Sequence, residues 1–182
     1  FLLGVVDDVV GASVVQKLAV QVAAAVLLVR ADVVIERIGG IELGLWGPLL
    51  SIVWVVGVTN AINLLDGLDG LASGVVAIIA ASFLMVAVLQ PNRELTVIFS
   101  AAIVGSCLGF LRHNWAPARV FMGDSGSLTL GFLMAALSVQ SASKTITTIT
   151  ILVPSLAFGL PVFDTPAVMA VRFTRKDRGT LG

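Results

Sequence analysis

Charge is scarce in this sequence. Only 12% of its 182 residues are Asp, Glu, Lys or Arg, against about 25% in an ordinary soluble domain. With 58% hydrophobic residues and a mean hydropathy of +1.05, that scarcity excludes a soluble globular domain and predicts an integral membrane protein. Eleven basic residues balance eleven acidic ones, so no excess of one sign points to a nucleic-acid partner. A single cysteine, Cys107, rules out an internal disulfide, and its apolar surroundings mark it as a small packing residue. A single histidine, His113, beside Arg112 and Asn114, cannot build a zinc site. No basic start followed by a cleavage site marks a signal peptide. The opening run Phe1 to Val6 is too short to span a bilayer and reads as the tail of a helix begun upstream. The expectation is one transmembrane domain over residues 1–182, cut from a longer protein at both ends.

Apolar length takes the place of charge. A helix of about 20 residues, in a range of about 17–25, crosses a bilayer. Six stretches meet that length: 12–31, 46–65, 70–89, 95–111, 126–143 and 146–163. The first is the weakest, because Lys17 and Arg30 must snorkel outward. Gly57, Gly74, Gly105, Gly109, Gly131 and Gly159 are predicted to let neighbouring helices approach closely. Between the first two spans, residues 33–45 place β-branched residues around Gly39-Gly40, the pattern of a short hairpin with a two-residue turn. The predicted fold class is therefore all-α: a polytopic transmembrane helical bundle of about six spans with a short extracytoplasmic β-hairpin. Six crossings put Lys17, Arg112, Arg119, Arg172, Arg175, Lys176 and Arg178 on one side and Arg30, Arg37, Arg93 and Lys144 on the other. The richer side is predicted to be cytoplasmic.

The same assignment sends Asp7, Asp8, Asp66, Asp69, Asp124, Asp164 and Asp177 to that cytoplasmic side. Carboxylates beside a bilayer are costly and are seldom left there without a task. A divalent cation holding a phosphate is the first ligand such a set suggests. Mg²⁺ takes one or two protein carboxylates and completes its shell with water and substrate phosphate. Asp124 lies in Gly123-Asp124-Ser125-Gly126-Ser127, just before an apolar helix whose first amides could face an anion. The plainer alternative is that Asp124 or Ser125 only caps that helix. Asn60, Asn63, Asp66 and Asp69 recur every third residue across the end of the 46–65 span, on one helix face. They should line a cavity; the alternative is a helix end followed by an Asp-Gly turn. Asp7 and Asp8 point about 100° apart in a helix, so each could do a different job, one as base or orienting group and one as ligand. Lys17 could clamp a phosphate or merely anchor the interface. Arg112, Arg119 and Arg172 flank the same face.

At these residues the chain resembles a known family. Asp7-Asp8, Lys17 and Gln21, the run Asn60 to Ala72, the run Asn114 to Gly131, and Phe163-Asp164-Thr165 are similar to the polyprenyl-phosphate N-acetylhexosamine-1-phosphate transferases, glycosyltransferase family 4. That family includes the undecaprenyl-phosphate N-acetylglucosamine-1-phosphate transferases and the phospho-N-acetylmuramoyl-pentapeptide transferases. The resemblance implies that a UDP-amino sugar gives its sugar 1-phosphate to a polyprenyl phosphate in the plasma membrane, on the cytoplasmic face, with release of UMP and with Mg²⁺, or Mn²⁺ in its place. It implies Asp124 as metal ligand with Asn60 as a candidate second ligand, and Asn63, Asp66 and Asp69 in the nucleotide and diphosphate pocket. It further implies Asp7 and Asp8 as the catalytic pair at the lipid phosphate, and Lys17 on phosphate. The muramoyl-pentapeptide branch reads Leu-Thr-Asp and Asp-Thr where this chain has Leu64-Leu65-Asp66 and Asp124-Ser125, which favours the N-acetylglucosamine branch. The family also carries a His-rich loop that this sequence does not contain before its end at Gly182, so activity is expected to need more than these residues. A homodimer is compatible with the sequence and not specified by it. Outside the family, an ion- or proton-coupled transporter would place acids near mid-bilayer, whereas here they gather at span ends. A homologue that only binds polyprenyl lipid is the remaining alternative.

Overall fold

A computed structural model of the chain describes residues 1–38 and 40–144, with side chains described to residue 141. The span predicted over 146–163, Gly159, Asp164, Arg172, Arg175, Lys176, Asp177 and Arg178 lie outside the described residues. Among the described residues six helices and one small ribbon follow in order: α1 (Leu2–Val10), α2 (Val14–Arg30), β1 (Arg37–Ile38), β2 (Ile41–Glu42), α3 (Trp46–Leu65), α4 (Leu71–Val88), α5 (Glu94–Asn114) and α6 (Gly123–Lys144).

Among the described residues three helices, α3, α4 and α5, are long and apolar enough to cross a membrane. The stretches predicted at 12–31 and 126–143 are helical as well, but differ from those three. α2 has 17 residues and carries Lys17; α6 is 22 residues long and diluted by serine, threonine and glutamine. Length and composition thus establish three candidate crossings among the described residues. The hairpin strands form as predicted: β1 and β2 pair antiparallel with Ile38 opposite Ile41, and Gly40 takes φ +87°.

Local chemistry sets the helix ends. Ser13 accepts from the Gln16 amide at 3.3 Å while Gln16 Oε1 accepts from the Ser13 amide at 2.9 Å, a capping box that starts α2. Gly11 (φ +79°) ends α1 and Gly70 (φ +71°) precedes α4, both in the left-handed region that glycine enters without penalty. α5 carries Glu94 in its first turn and Arg112 in its last, each sign where the helix dipole favours it.

α3 packs on α6, α4 on α5, α2 on α3, and α1 on α6. The α3–α6 pair is antiparallel: Asn63 meets Asp124 at one end, and Trp54 Nε1 donates to Ser138 Oγ at 2.8 Å further along. Small residues such as Ala61, Ala72, Ser73, Ala80 and Ser100 are buried between helices, while Ile78 (68% exposed) and Met85 (72%) face outward. Ile62, Ile79, Phe83 and Met134 fill the core between them, and the small residues let the helix backbones approach closely. Two buried hydroxyls of α3 bond back to their own backbone, Thr59 to the Val55 carbonyl at 2.7 Å and Ser51 to the Gly47 carbonyl at 2.8 Å, which satisfies them without water.

Of the glycines predicted to bring helices together, Gly131 does so: a Cβ there would lie 2.8 Å from Thr59 Cα. Gly57, Gly74, Gly105 and Gly109 do not, because a Cβ at each would meet nothing within 4 Å. They lie on faces turned away from the described neighbours. The close approaches fall instead at Gly4, Gly47 and Gly123, which composition did not distinguish.

Candidate active site

The site is assembled around the first turn of α6. A Cβ on Gly4 would stand 2.3 Å from Ser125 Cα, so only glycine lets α1 lie against that turn. Four residues on, and therefore on the same helix face, Asp8 reaches the α6 amides. Its Oδ1 accepts from Asp124 N at 2.8 Å and its Oδ2 from Ser125 N at 3.0 Å. Gly123 (φ +68°) leaves room for this carboxylate, since a Cβ there would be 2.9 Å from Asp8 Oδ2. The sequence predicts that these amides face a substrate anion. In the structure two of them face Asp8, because α1 delivers a carboxylate to the positive end of the helix dipole. Those amide hydrogen bonds, Ser125 first, hold the Asp8 carboxyl below its usual range.

Asp7 points elsewhere. Its Oδ1 accepts from Ala12 N at 2.6 Å, and its Oδ2 is in contact with the Lys17 ammonium. Lys17 leaves the first turn of α2, directly after the capping box, and its Nζ also donates to Asp124 Oδ2 at 2.6 Å. Asp124 Oδ1 accepts from Asn63 Nδ2 at 3.0 Å, and the same amide donates to Ser127 Oγ at 2.8 Å. Four helices therefore meet in one knot: Asp7 from α1, Lys17 from α2, Asn63 from α3 and Asp124 from α6. Hydrogen bonding to the Asp124 side chain, then to Lys17 and to the Ala12 amide, lowers the Asp7 carboxyl to about 2.

The remaining predicted residues divide. Asp66 caps α3 beside this knot. Burial pushes its carboxyl up to about 6; the Gly123 amide opposes the shift, and the charges of Asp124 and Asp8 add to it. Asn60 engages Gln21 instead: Asn60 Nδ2 donates to Gln21 Oε1 at 2.5 Å and to the Val56 carbonyl at 2.8 Å, and Gln21 Nε2 donates back at 3.3 Å. Asn63, one turn nearer the helix end, is the α3 amide that meets Asp124. Asp69 reaches the loop after α5, where its Oδ2 accepts from Ala118 N at 3.0 Å.

Three residues that sequence reasoning did not place in the site prove to hold it. Ser127 shares the Asn63 amide. Gln21 occupies Asn60. Asn114, only 4% exposed, accepts from Gly70 N at 3.0 Å and Ser73 Oγ at 3.3 Å and donates to the Val120 carbonyl at 2.9 Å. The signal was present for Gln21 and Asn114: an amide within or at the end of an apolar helix must find a partner when buried.

Among the described residues no group of three His, Cys, Asp or Glu side chains surrounds one point. The donor set nevertheless fits a hard divalent ion. Such an ion needs only one or two carboxylates when phosphate oxygens complete its shell. Asp7 and Asp124 already turn one oxygen each toward a shared cation, the Lys17 ammonium. What this arrangement offers chemically is anionic oxygens for a metal, one ammonium for a phosphate, and an acid titrating near 6.

A family model described as glycosyl transferase family 4 matches residues 1–142. The "Probable undecaprenyl-phosphate N-acetylglucosaminyl 1-phosphate transferase" of Bacillus subtilis (strain 168) is 36% identical over 181 residues, covering 96% of this chain and 50% of that relative. A phospho-N-acetylmuramoyl-pentapeptide-transferase of Moorella thermoacetica is 40% identical over 136 residues, 74% of this chain and 42% of the relative. One from Trichormus variabilis is 50% identical over 99 residues, 54% of this chain and 26% of the relative. The chain spans half or less of the length of these curated relatives.

Proposed function

The chain belongs to glycosyl transferase family 4, and from that membership we propose that it forms part of a membrane phosphoglycosyl transferase. The reaction proposed is transfer of N-acetylglucosamine 1-phosphate from UDP-N-acetylglucosamine to undecaprenyl or another polyprenyl phosphate. A phosphate oxygen of the lipid bonds to the sugar-bearing phosphorus, the bond from that phosphorus to the bridging oxygen breaks, and UMP leaves. The observation that carries the reading is the convergence of Asp7, Lys17, Asn63 and Asp124 from four helices. Phosphoryl transfer asks a protein for positioning and charge neutralisation more than for covalent work.

Asp124 and Asp7 would hold a magnesium ion, with manganese as a substitute; such an ion supplies charge neutralisation at the diphosphate. Lys17 provides the phosphate contact. Asp8 fixes the first turn of α6 and with it the direction of Asp124. Asp7, held ionised near neutral pH, serves as an anionic ligand and orienting group. Asp66, whose carboxyl titrates near 6, is the acid best matched to exchange a proton with the acceptor phosphate. A cytosolic nucleotide and a membrane lipid can meet only at the inner boundary of the membrane. The site would therefore face the cytoplasm, with α2 and α6 as further crossings.

The test is UMP release by the full-length protein in detergent, given UDP-N-acetylglucosamine, polyprenyl phosphate and Mg²⁺. Release should stop with EDTA and fall at least about 100-fold in Asp124→Asn, the scale of one lost electrostatic contact in such a site. Undiminished release by that variant would refute the assignment of Asp124. Transfer of the muramoyl pentapeptide is the second reading, and the 50% identity over 99 residues to such a transferase favours it. Against it stands the N-acetylglucosaminyl relative, whose match covers 96% of the chain. UMP release only from the UDP-muramoyl-pentapeptide donor would decide for the second reading.

A further inference from the structure

The ammonium of Lys17 lies between the two carboxylates best placed to hold a metal. It donates to Asp124 Oδ2 at 2.6 Å, contacts Asp7 Oδ2, and sits in a partly shielded setting with these side chains 13–24% exposed. A divalent ion binding the same oxygens at about 2.0–2.1 Å cannot share that space with an ammonium, on grounds of both volume and like charge. We propose that Lys17 is a resident counter-ion that exchanges places with the metal, holding Asp7 and Asp124 together without it and swinging onto substrate phosphate when it binds. The exchange rests on the reading of Asp124 as metal seat and adds a coupling between metal and phosphate binding.

The side chain is suited to this. A lysine is a point charge on a flexible four-carbon stem, and Lys17 is rooted one turn after a capping box that fixes its backbone. Asp124 keeps its Asn63 hydrogen bond on the other oxygen, so the carboxylate does not swing away when the ammonium leaves. Without Lys17 the two acids would repel each other and bind a cation more readily. Lys17 therefore lowers metal affinity in the free protein, which sets it apart from a residue that only contacts phosphate.

The experiment is Mn²⁺ binding to the full chain in detergent, with no substrate, read from the electron paramagnetic resonance signal of free Mn²⁺. Lys17→Met should bind Mn²⁺ about 5- to 30-fold more tightly than wild type, the range spanned by one or two modest interactions. Lys17→Arg, which keeps the charge, should not. Mass-spectrometric labelling of Lys17 with acetic anhydride in the wild-type protein should rise when Mn²⁺ is added, a readout that survives if Lys17→Met does not fold. Equal or weaker Mn²⁺ binding in a folded Lys17→Met, or labelling that Mn²⁺ leaves unchanged, overturns the exchange. Asp124→Asn separates the two ideas. If it abolishes Mn²⁺ binding while Lys17→Met matches wild type, the exchange alone falls. If it binds Mn²⁺ as wild type does, the metal seat falls and the exchange with it.

Discussion

Two polar knots lie at neighbouring helix ends of this chain, and they are built from opposite materials. One is charged: Asp7, Lys17 and Asp124, each with part of its side chain open to solvent. The other is neutral: Asn114, buried, binds Gly70, Ser73 and Val120, with Asp69 tying the nearby loop at Ala118. A neutral amide whose bonds are all internal has nothing to exchange and serves as a clasp between the α3–α4 turn and the loop before α6. A partly exposed ion triplet can trade one cation for another at little cost, because surface-type ion pairs are individually weak. The contrast teaches which polar residues here are framework and which are available for ligand.

Breaking each knot should give opposite phenotypes. Asp124→Asn should cost at least about 100-fold in UMP release while leaving the thermal midpoint in detergent close to wild type. Asn114→Ala should instead cost about 1–3 kcal/mol of stability, since it strands the Gly70 amide and the Val120 carbonyl. For a chain of this size each kcal/mol moves the midpoint by about 2–4 °C. Equal midpoints for Asn114→Ala and wild type would erase the distinction.

A smaller effect should appear with pH in metal-free protein. Burial raises the Asp66 carboxyl from 3.8 to about 6. Between those values the unfolded chain has released its proton while the folded chain keeps it. Stability therefore falls as pH rises across that window and stays lower above it. Asp66→Asn should raise the midpoint at pH 7 by about 2–4 °C, allowing for its partial exposure, and the gain should shrink toward pH 4. A gain of the same size at both pH values would contradict this origin. Asp7 runs the other way, its stabilisation present above 3.8 and lost as pH falls toward about 2. Smallest of all, Arg37→Ala removes an exposed pair with Glu42 at 2.6 Å that belongs to neither knot. It should change stability by less than about 1 kcal/mol, a measurable baseline for the other three.

Much of the framework was legible in the residues. α3, α4 and α5 follow from uninterrupted apolar length, and the ribbon from a Gly-Gly pair between β-branched residues. The acids of the charged knot could be named because acids are so rare here. Their partners could not. Asp8 meets amides 116 and 117 residues away. Asn60 and Asn63 share a helix face, and only the rotation of α3 against α6 decides that Asn63 faces Asp124 and Asn60 faces Gln21. Gly4 and Gly74 look alike in a sequence, yet one lies against another helix and the other does not.

Composition alone determined that this chain is helical and suited to a membrane, because a hydrocarbon surrounding tolerates neither free backbone polarity nor stray charge. It also determined which few carboxylates needed explaining. The tertiary structure decided how they are paired: that Asp7 shares an ammonium with Asp124, and that Asp8 spends both oxygens on the start of α6. Pairing depends on contacts between residues distant in sequence, and those are set by which helix faces close on one another, at distances where a single missing Cβ decides whether two backbones can touch.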